Sequence, residues 1–164
     1  MPFGKRGQKM KRYYLAYGSN LNLEQMRWRC PDARVLGTAW LMDYRLLFKG
    51  SKNGSYLTVE PYKGSKVPLA VFEVSPFDEE RLDHYEGFPS FYYKKELKIK
   101  YKGLWTGRER SATAFIYIMH EERPFGIPSG SYVETCLVGY RDFEFDESYL
   151  RQALTDSTEG SDED

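Results

Sequence analysis

Tyr13-Tyr14-Leu15-Ala16-Tyr17-Gly18-Ser19-Asn20-Leu21-Asn22-Leu23-Glu24-Gln25 places a strand, a tight loop and a helix start in immediate succession. The aromatic and apolar run 13–17 stops at Gly18 and reads as a buried strand. Asn22 followed by Gln25 has the form of a capping box, with Asn22 as N-cap and Gln25 reaching back. The helix is expected to run through Met26 and Trp28 and to stop before Pro31, since the residue preceding a proline disfavours the helical region. The loop between them leaves backbone N–H groups free at a helix N-terminus, where an anion is favoured by hydrogen bonding and by the dipole. Alone that signal is weak, because any such turn favours Gly, Ser and Asn.

Downstream, short strands follow one another. Residues 34–41, 44–49, 56–60 and 67–74 are apolar or alternating, and Asn53-Gly54 marks a hairpin turn between two of them. Ser75-Pro76-Phe77-Asp78 is the clearest helix start in the chain. It combines an N-cap, a proline at the first helical position and acids at the positive end of the dipole. That helix runs to Tyr85 or Glu86, with Gly87 as its left-handed stop. Residues 92–101 and 112–119 alternate as strands. Ser131 with Glu134 suggests a further capping box for a helix ending at Gly139, and Asp146 caps a last helix through Leu154. Many short strands with few long helices predict an α+β fold, with a small, mixed, curved, barrel-like sheet flanked by helices and not a doubly wound one.

The 164 residues suit one ordinary domain, and 41% hydrophobic with 16% aromatic residues excludes general disorder. No apolar run is long enough to span a bilayer, and the first residues lack a secretory apolar stretch, so a cytoplasmic protein without membrane partners is expected. Cations and acids balance at 24 each, but unevenly along the chain. Residues 1–12 carry Lys5, Arg6, Lys9, Lys11 and Arg12 with no acid, and residues 155–164 carry only acids. We read residues 1–10 as a flexible basic extension, 11–154 as the domain and 155–164 as a disordered acidic tail. A nucleic-acid partner is not expected, because that function calls for a basic face on the body itself. Zinc needs about four converging ligands, and Cys30, Cys136, His84 and His120 are scattered, so no metal is expected. Both cysteines read as small buried hydrophobes, free of any disulfide.

The second chemically suggestive stretch is Leu82-Asp83-His84-Tyr85-Glu86-Gly87-Phe88-Pro89. Glu86 falls at the C-terminal end of its helix, where the dipole opposes a negative charge, among Tyr85, Phe88, Phe91, Tyr92 and Tyr93. Desolvation and the dipole both push its pKa up, toward what a general acid/base needs near neutrality. An ordinary solvated glutamate at a frayed helix end is the plain alternative. His84 falls on a different helical face and reads as ordinary.

Taken together, Tyr14-Leu15-Ala16-Tyr17-Gly18-Ser19-Asn20-Leu21 and Leu82-Asp83-His84-Tyr85-Glu86-Gly87 resemble the gamma-glutamylcyclotransferase-like (avirulence-induced-gene-like) family. The similarity continues through Pro128-Ser129, Tyr132, Gly139 and Tyr149-Leu150, and so covers the chain from about Lys11 to Leu154. The resemblance implies a small curved barrel flanked by helices, no cofactor, and a monomer or homodimer acting on a small γ-glutamyl molecule. The implied reaction is an internal acyl transfer. The α-amine attacks the γ-carbonyl of its own glutamyl group and releases 5-oxoproline, a step of glutathione metabolism. By resemblance Glu86 matches the catalytic glutamate, Tyr17 to Leu21 (Tyr17, Gly18, Ser19, Asn20, Leu21) the segment gripping the glutamyl head, and Tyr93 the recurrent tyrosine seven residues beyond the glutamate.

Chemistry supports those roles independently. A protonated amine is no nucleophile until a base takes its proton, and a carboxylate of raised pKa can do this and then return a proton to the leaving nitrogen. Amides of the loop could hold the α-carboxylate or stabilise the oxyanion, and both remain open. The side chains of Asn20, Tyr17, Tyr93 and Tyr132 are candidates for further contacts. Asn20 leans toward γ-glutamyl amino acids, since the glutathione-specific branch reads Tyr-Gly-Ser-Leu and the γ-glutamylamine branch Tyr-Gly-Thr-Leu. The alternatives are γ-glutamylamines or other conjugates, or a non-catalytic binding module on the same fold. The stretches 88–93 and 123–131 are the expected readers of the leaving group, the latter as a mobile lid.

Overall fold

The computed structural model describes the backbone of residues 11–163 and the side chains of residues 11–160. The expected basic extension over residues 1–10 lies outside them. The elements are β1 (Arg12–Ala16), a 3-10 turn (Ser19–Leu21), α1 (Leu23–Arg29), β2 (Arg34–Ser51) and β3 (Gly54–Val74). There follow α2 (Pro76–Glu86), β4 (Tyr92–Gly103), β5 (Glu109–Met119), α3 (Gly130–Asp142) and α4 (Ser148–Glu163). The strands close into a barrel in the order β1-β3-β2-β4-β5, and β1 completes the ring by pairing parallel with β5 through Tyr13↔Ala114 and Tyr14↔Phe115. The expected α+β barrel with flanking helices is the fold observed.

The four strands expected between residues 34 and 74 are two. β2 and β3 pair from Arg34↔Glu73 down to Ser51↔Gly54, with the register shifting between Val35 and Gly37 and again between Met42 and Tyr44. The polar residues that read as strand ends mark a bend instead. Asp43 takes a left-handed φ of 63°, and its carboxylate accepts from the Gly64 N–H at 3.0 Å, so the irregular points of both strands are pinned together. Such a bulge adds twist and lets one long ribbon coil around the barrel without breaking the ladder. The hairpin lies where it was expected, with Lys52 and Asn53 between the paired residues Ser51 and Gly54.

The helix caps follow local chemistry. Ser75 and Asp78 exchange both bonds of a capping box, and Gly87 ends α2 at φ 63°. Asn22 accepts from the Gln25 N–H at 3.0 Å, but the Gln25 amide does not reach back to Asn22; it donates to the Ser19 carbonyl. Ser129, not Ser131, caps α3 by accepting from the Tyr132 N–H. α3 also runs past Gly139 to Asp142, because this glycine is a packing position. A Cβ there would lie 2.6 Å from the backbone of Leu21 and Asn22. The missing side chain lets α3 sit directly on the turn after β1. Cys30 and Cys136 are free and buried, and burial pushes both thiols up to about 12.

The last helix corrects the expected end of the domain. α4 does not stop at Leu154; it continues to Glu163, through the segment read as a disordered tail. Leu150, Ala153, Ser157 and Gly160 recur at helical spacing, and the first three are buried. Because two of the four are Ser and Gly, the stripe is nearly invisible as hydrophobicity. The buried Ser157 hydroxyl donates to the Ala153 carbonyl and accepts from the Phe48 N–H of β2 at 2.8 Å. Ser157→Ala leaves that buried N–H without an acceptor and is expected to destabilise the protein by about 1–3 kcal/mol, read by urea denaturation. An unchanged midpoint would show that α4 does not contribute to the cooperative fold.

Candidate active site

One end of β1, the turn that follows it and the end of α2 meet around a cavity of about 460 Å3. Its wall is largely phenolic. Tyr14 comes from β1 and Tyr17 from just after it, Tyr56 from β3, Tyr92 from β4, Tyr117 from β5 and Tyr132 from α3, with Gly18, Ser19 and Asn20 closing one side. Arg29 enters from the last turn of α1.

Glu86 arrives there through backbone geometry. With Gly87 left-handed, the Gly87 and Phe88 N–H groups donate to the carbonyls of His84 and Asp83, the paired bonds of a Schellman cap. Glu86 is therefore the final helical residue, and its carboxyl faces the cavity. The residue keeps some solvent access, yet protein surrounds the carboxyl closely enough that burial pushes it up to about 7, the Arg29 charge acting in the opposite direction. No hydrogen bond to its carboxyl occurs among the described residues. Burial, and after it the negative charge of Glu86, hold the phenol of Tyr17 well above its ordinary range. The Tyr17 hydroxyl thus stays protonated and serves as a hydrogen-bond donor.

The polar groups divide into scaffolding and open ones. Tyr17 donates to the Tyr117 carbonyl at 2.7 Å, Tyr92 to the Leu57 carbonyl at 2.7 Å and Tyr117 to Asp83 at 2.6 Å, while Tyr132 accepts from the Leu57 N–H at 3.1 Å. These bonds tie β3, β4, β5, α2, α3 and the residue that follows β1 into one wall. Asn20 is buried and fully engaged, its amide donating to the Tyr14 hydroxyl at 2.9 Å and its carbonyl accepting from Arg29. The N–H groups of Ser19 and Asn20, at the start of the 3-10 turn, meet no acceptor among the described residues. Neither does the proton of the Tyr14 hydroxyl. With the hydroxyls of Ser19, Tyr56 and Tyr132, which donate to no acceptor among the described residues, those donors and the Glu86 carboxyl are what the cavity offers a ligand.

Most of the residues expected from sequence converge here: Tyr17, Gly18, Ser19, Asn20, Glu86 and Tyr132 all line the cavity. Two do not. Leu21 is fully buried behind the turn, in the core. Tyr93 points away from the cavity, with its hydroxyl on the Glu121 carboxylate and its ring against His120 at 5.2 Å. Strand alternation explains the exchange, since Tyr92 is buried and lines the cavity in its place. The first part of segment 123–131 is tied down. Gly50 N–H donates to the Pro124 carbonyl and Gly126 N–H to the Phe48 carbonyl, which holds residues 124–126 against β2 through a single antiparallel bridge, Lys49↔Phe125. Arg29, Tyr56, Tyr92 and Tyr117 were not among the site residues expected from the sequence, and Tyr14 entered only as the start of the motif. Only the position of Arg29, near a helix C-terminus, carried any signal.

Known proteins resemble this arrangement over most of its length. The family described as gamma-glutamyl cyclotransferase, AIG2-like, matches residues 14–134. Gamma-glutamylcyclotransferase of Homo sapiens is 28% identical over 137 residues, covering 79% of this chain and 70% of its own. The enzyme of the same name from Mus musculus is 26% identical over 155 residues, covering 89% and 79%. A solved structure titled gamma-glutamyl cyclotransferase superimposes with a TM-score of 0.71 at 26% identity, over 87% of this chain and 86% of that one.

Proposed function

This chain belongs to the gamma-glutamyl cyclotransferase, AIG2-like family, and from that we propose that it converts γ-glutamyl amino acids to 5-oxoproline and a free amino acid, with Glu86 as general acid/base. The carrying observation is a carboxyl of raised pKa, otherwise unpartnered, on a cavity that the Gly18–Asn20 turn also lines. A group that titrates near 7 populates both of its forms at neutral pH, which one residue serving as base and then as acid requires.

The substrate enters with a protonated α-amine. Glu86 takes one proton, and the freed lone pair attacks the γ-carbonyl to form the five-membered ring. The bond from the γ-carbon to the leaving nitrogen then breaks. The proton held by Glu86 and the one shed by the ring nitrogen pass to the leaving amine, so no net proton is consumed. The attack is intramolecular, and the rate depends on how firmly the extended glutamyl chain is folded into the ring-closing shape. The phenolic wall supplies shape and excludes water. The open amides of Ser19 and Asn20 supply donors for negative charge, either the α-carboxylate or the developing oxyanion.

The test is mass-spectrometric detection of 5-oxoproline from the purified chain given γ-glutamyl dipeptides, glutathione and γ-glutamylamines separately. Oxoproline from the dipeptides is the expected result. Oxoproline from another class alone corrects the substrate, and none from any substrate, with a ligand-induced rise in melting temperature, replaces the enzyme with a binding module.

A further inference from the structure

Arg29 has no assigned part in this chemistry, yet it touches both halves of the site. Its Nη1 donates to the Asn20 carbonyl and to the Ser19 hydroxyl at 3.3 Å. On the other side its guanidinium carbon lies 3.6 Å from the centre of the Tyr85 ring, the residue immediately before Glu86. Arg81 of α2 reinforces the junction by donating to the Arg29 and Trp28 carbonyls. The Nε edge of Arg29 is buried and without a partner. The head group is packed between the loop and the end of α2.

We propose that Arg29 is the positioning residue of this site, one guanidinium fixing the Ser19–Asn20 loop and, through the Tyr85 ring, the helix end that carries Glu86. The assignment rests on Glu86 being the acid/base. A guanidinium suits this role, because its Nη1 sets the loop while its flat face stacks on an aromatic ring, a combination lysine cannot reproduce. The bonds from Asn20 to Tyr14 and from Arg29 to Asn20 then form a chain from the floor of the barrel to the cavity mouth.

A residue so placed also acts on the charge of Glu86. The titratable groups around that carboxyl are Tyr14 of β1, Tyr17 just after it, Arg29 of α1, Tyr56 of β3, Tyr92 of β4, Tyr117 of β5 and Tyr132 of α3, with His84 and Tyr85 beside it on α2. Arg29 is the one permanent cation in this set, and it counteracts the upward push of burial.

The experiment compares Arg29→Met, Arg29→Lys and Tyr85→Leu with the parent in the 5-oxoproline assay from pH 5.5 to 9.5, with melting temperatures recorded alongside. Arg29→Met is expected to lower kcat about 10- to 100-fold with KM changed far less, the mark of lost geometry at the reacting centre. Its acid limb in kcat/KM moves upward by about one pH unit, because the counter-charge is gone. Arg29→Lys returns the limb to its original place but not kcat. Tyr85→Leu, at an exposed ring that tolerates replacement, lowers kcat and leaves the limb where it was. A folded Arg29→Met with unchanged kcat and limb overturns the proposal, as does a loss confined to KM, which would make Arg29 a direct substrate contact. Should Arg29→Met fail to fold, unchanged kcat in both Arg29→Lys and Tyr85→Leu overturns it equally. Titration of the Glu86 carboxyl by 13C NMR reads the charge effect without turnover, so an inactive parent protein defeats the proposed reaction while this test stands.

Discussion

Glu86→Gln is expected to lower 5-oxoproline formation by about 10²- to 10⁴-fold, the span that a positioned acid/base contributes, with substrate binding retained. The same substitution should stabilise the fold at alkaline pH. The carboxyl binds its proton more tightly in the folded protein, at about 7, than a free glutamate does at 4.5. Ionising it therefore opposes folding. The opposition is absent below pH 4.5, grows between 4.5 and 7, and is complete above 7. A full shift of this size corresponds to about 3 kcal/mol, and solvent access to the residue reduces this to about 1–2 kcal/mol. Urea denaturation should show Glu86→Gln more stable than the parent at pH 8 and equal to it at pH 4.5. A variant that is inactive but no more stable at pH 8 would place the carboxyl in a wetter setting than the cavity provides. A variant that keeps turnover would remove Glu86 from the mechanism. In the parent, kcat/KM should fall about tenfold per pH unit on the acid side of 7, as the base form is lost.

The second large effect is expected from a residue that touches no substrate. Gly139→Ala places a methyl group 2.6 Å from the Asn22 nitrogen and 2.7 Å from the Leu21 Cβ. Neither atom belongs to a flexible side-chain end, so α3 or the turn must move. Overpacking of this kind costs about 1–3 kcal/mol, more than the helix propensity that alanine gains over glycine. The turn that shifts is the one carrying Ser19 and Asn20, so kcat should drop along with the melting temperature. If Gly139→Ala melts higher than the parent and turns over normally, the contact between α3 and the turn is looser than described.

The parts of the molecule that could be read in the sequence are those whose causes lie within a few residues. Ser75, Pro76 and Asp78 start α2 through bonds to their own neighbours, and Gly87 ends it because only its backbone enters the left-handed region freely. Glu86 inherits its place and its direction from that stop. Gly18 to Asn20 had to be a turn with open amides for the same local reason. What was misread depended on partners far along the chain. Residues 34–74 looked like four strands because a bend and a break have the same polar composition, and pairing between Asp43 and Gly64 decides which one forms.

By itself, then, the sequence determined the start of α1, both ends of α2, the hairpin, the barrel class and the glutamate at the cavity, since short-range hydrogen bonding and backbone sterics suffice for each. Tertiary structure decided the rest. Register along β4 chose Tyr92 over Tyr93 for the wall, because adjacent residues of a strand face opposite ways and only packing says which way is in. Close approach decided that Gly139 continues a helix, and burial of small side chains against β2 carried α4 to Glu163. Convergence of α1, the turn and α2 brought Arg29 beside Ser19, Asn20 and Tyr85. A guanidinium's role depends on what lies within hydrogen-bond reach of it, and that is settled only when distant segments pack together.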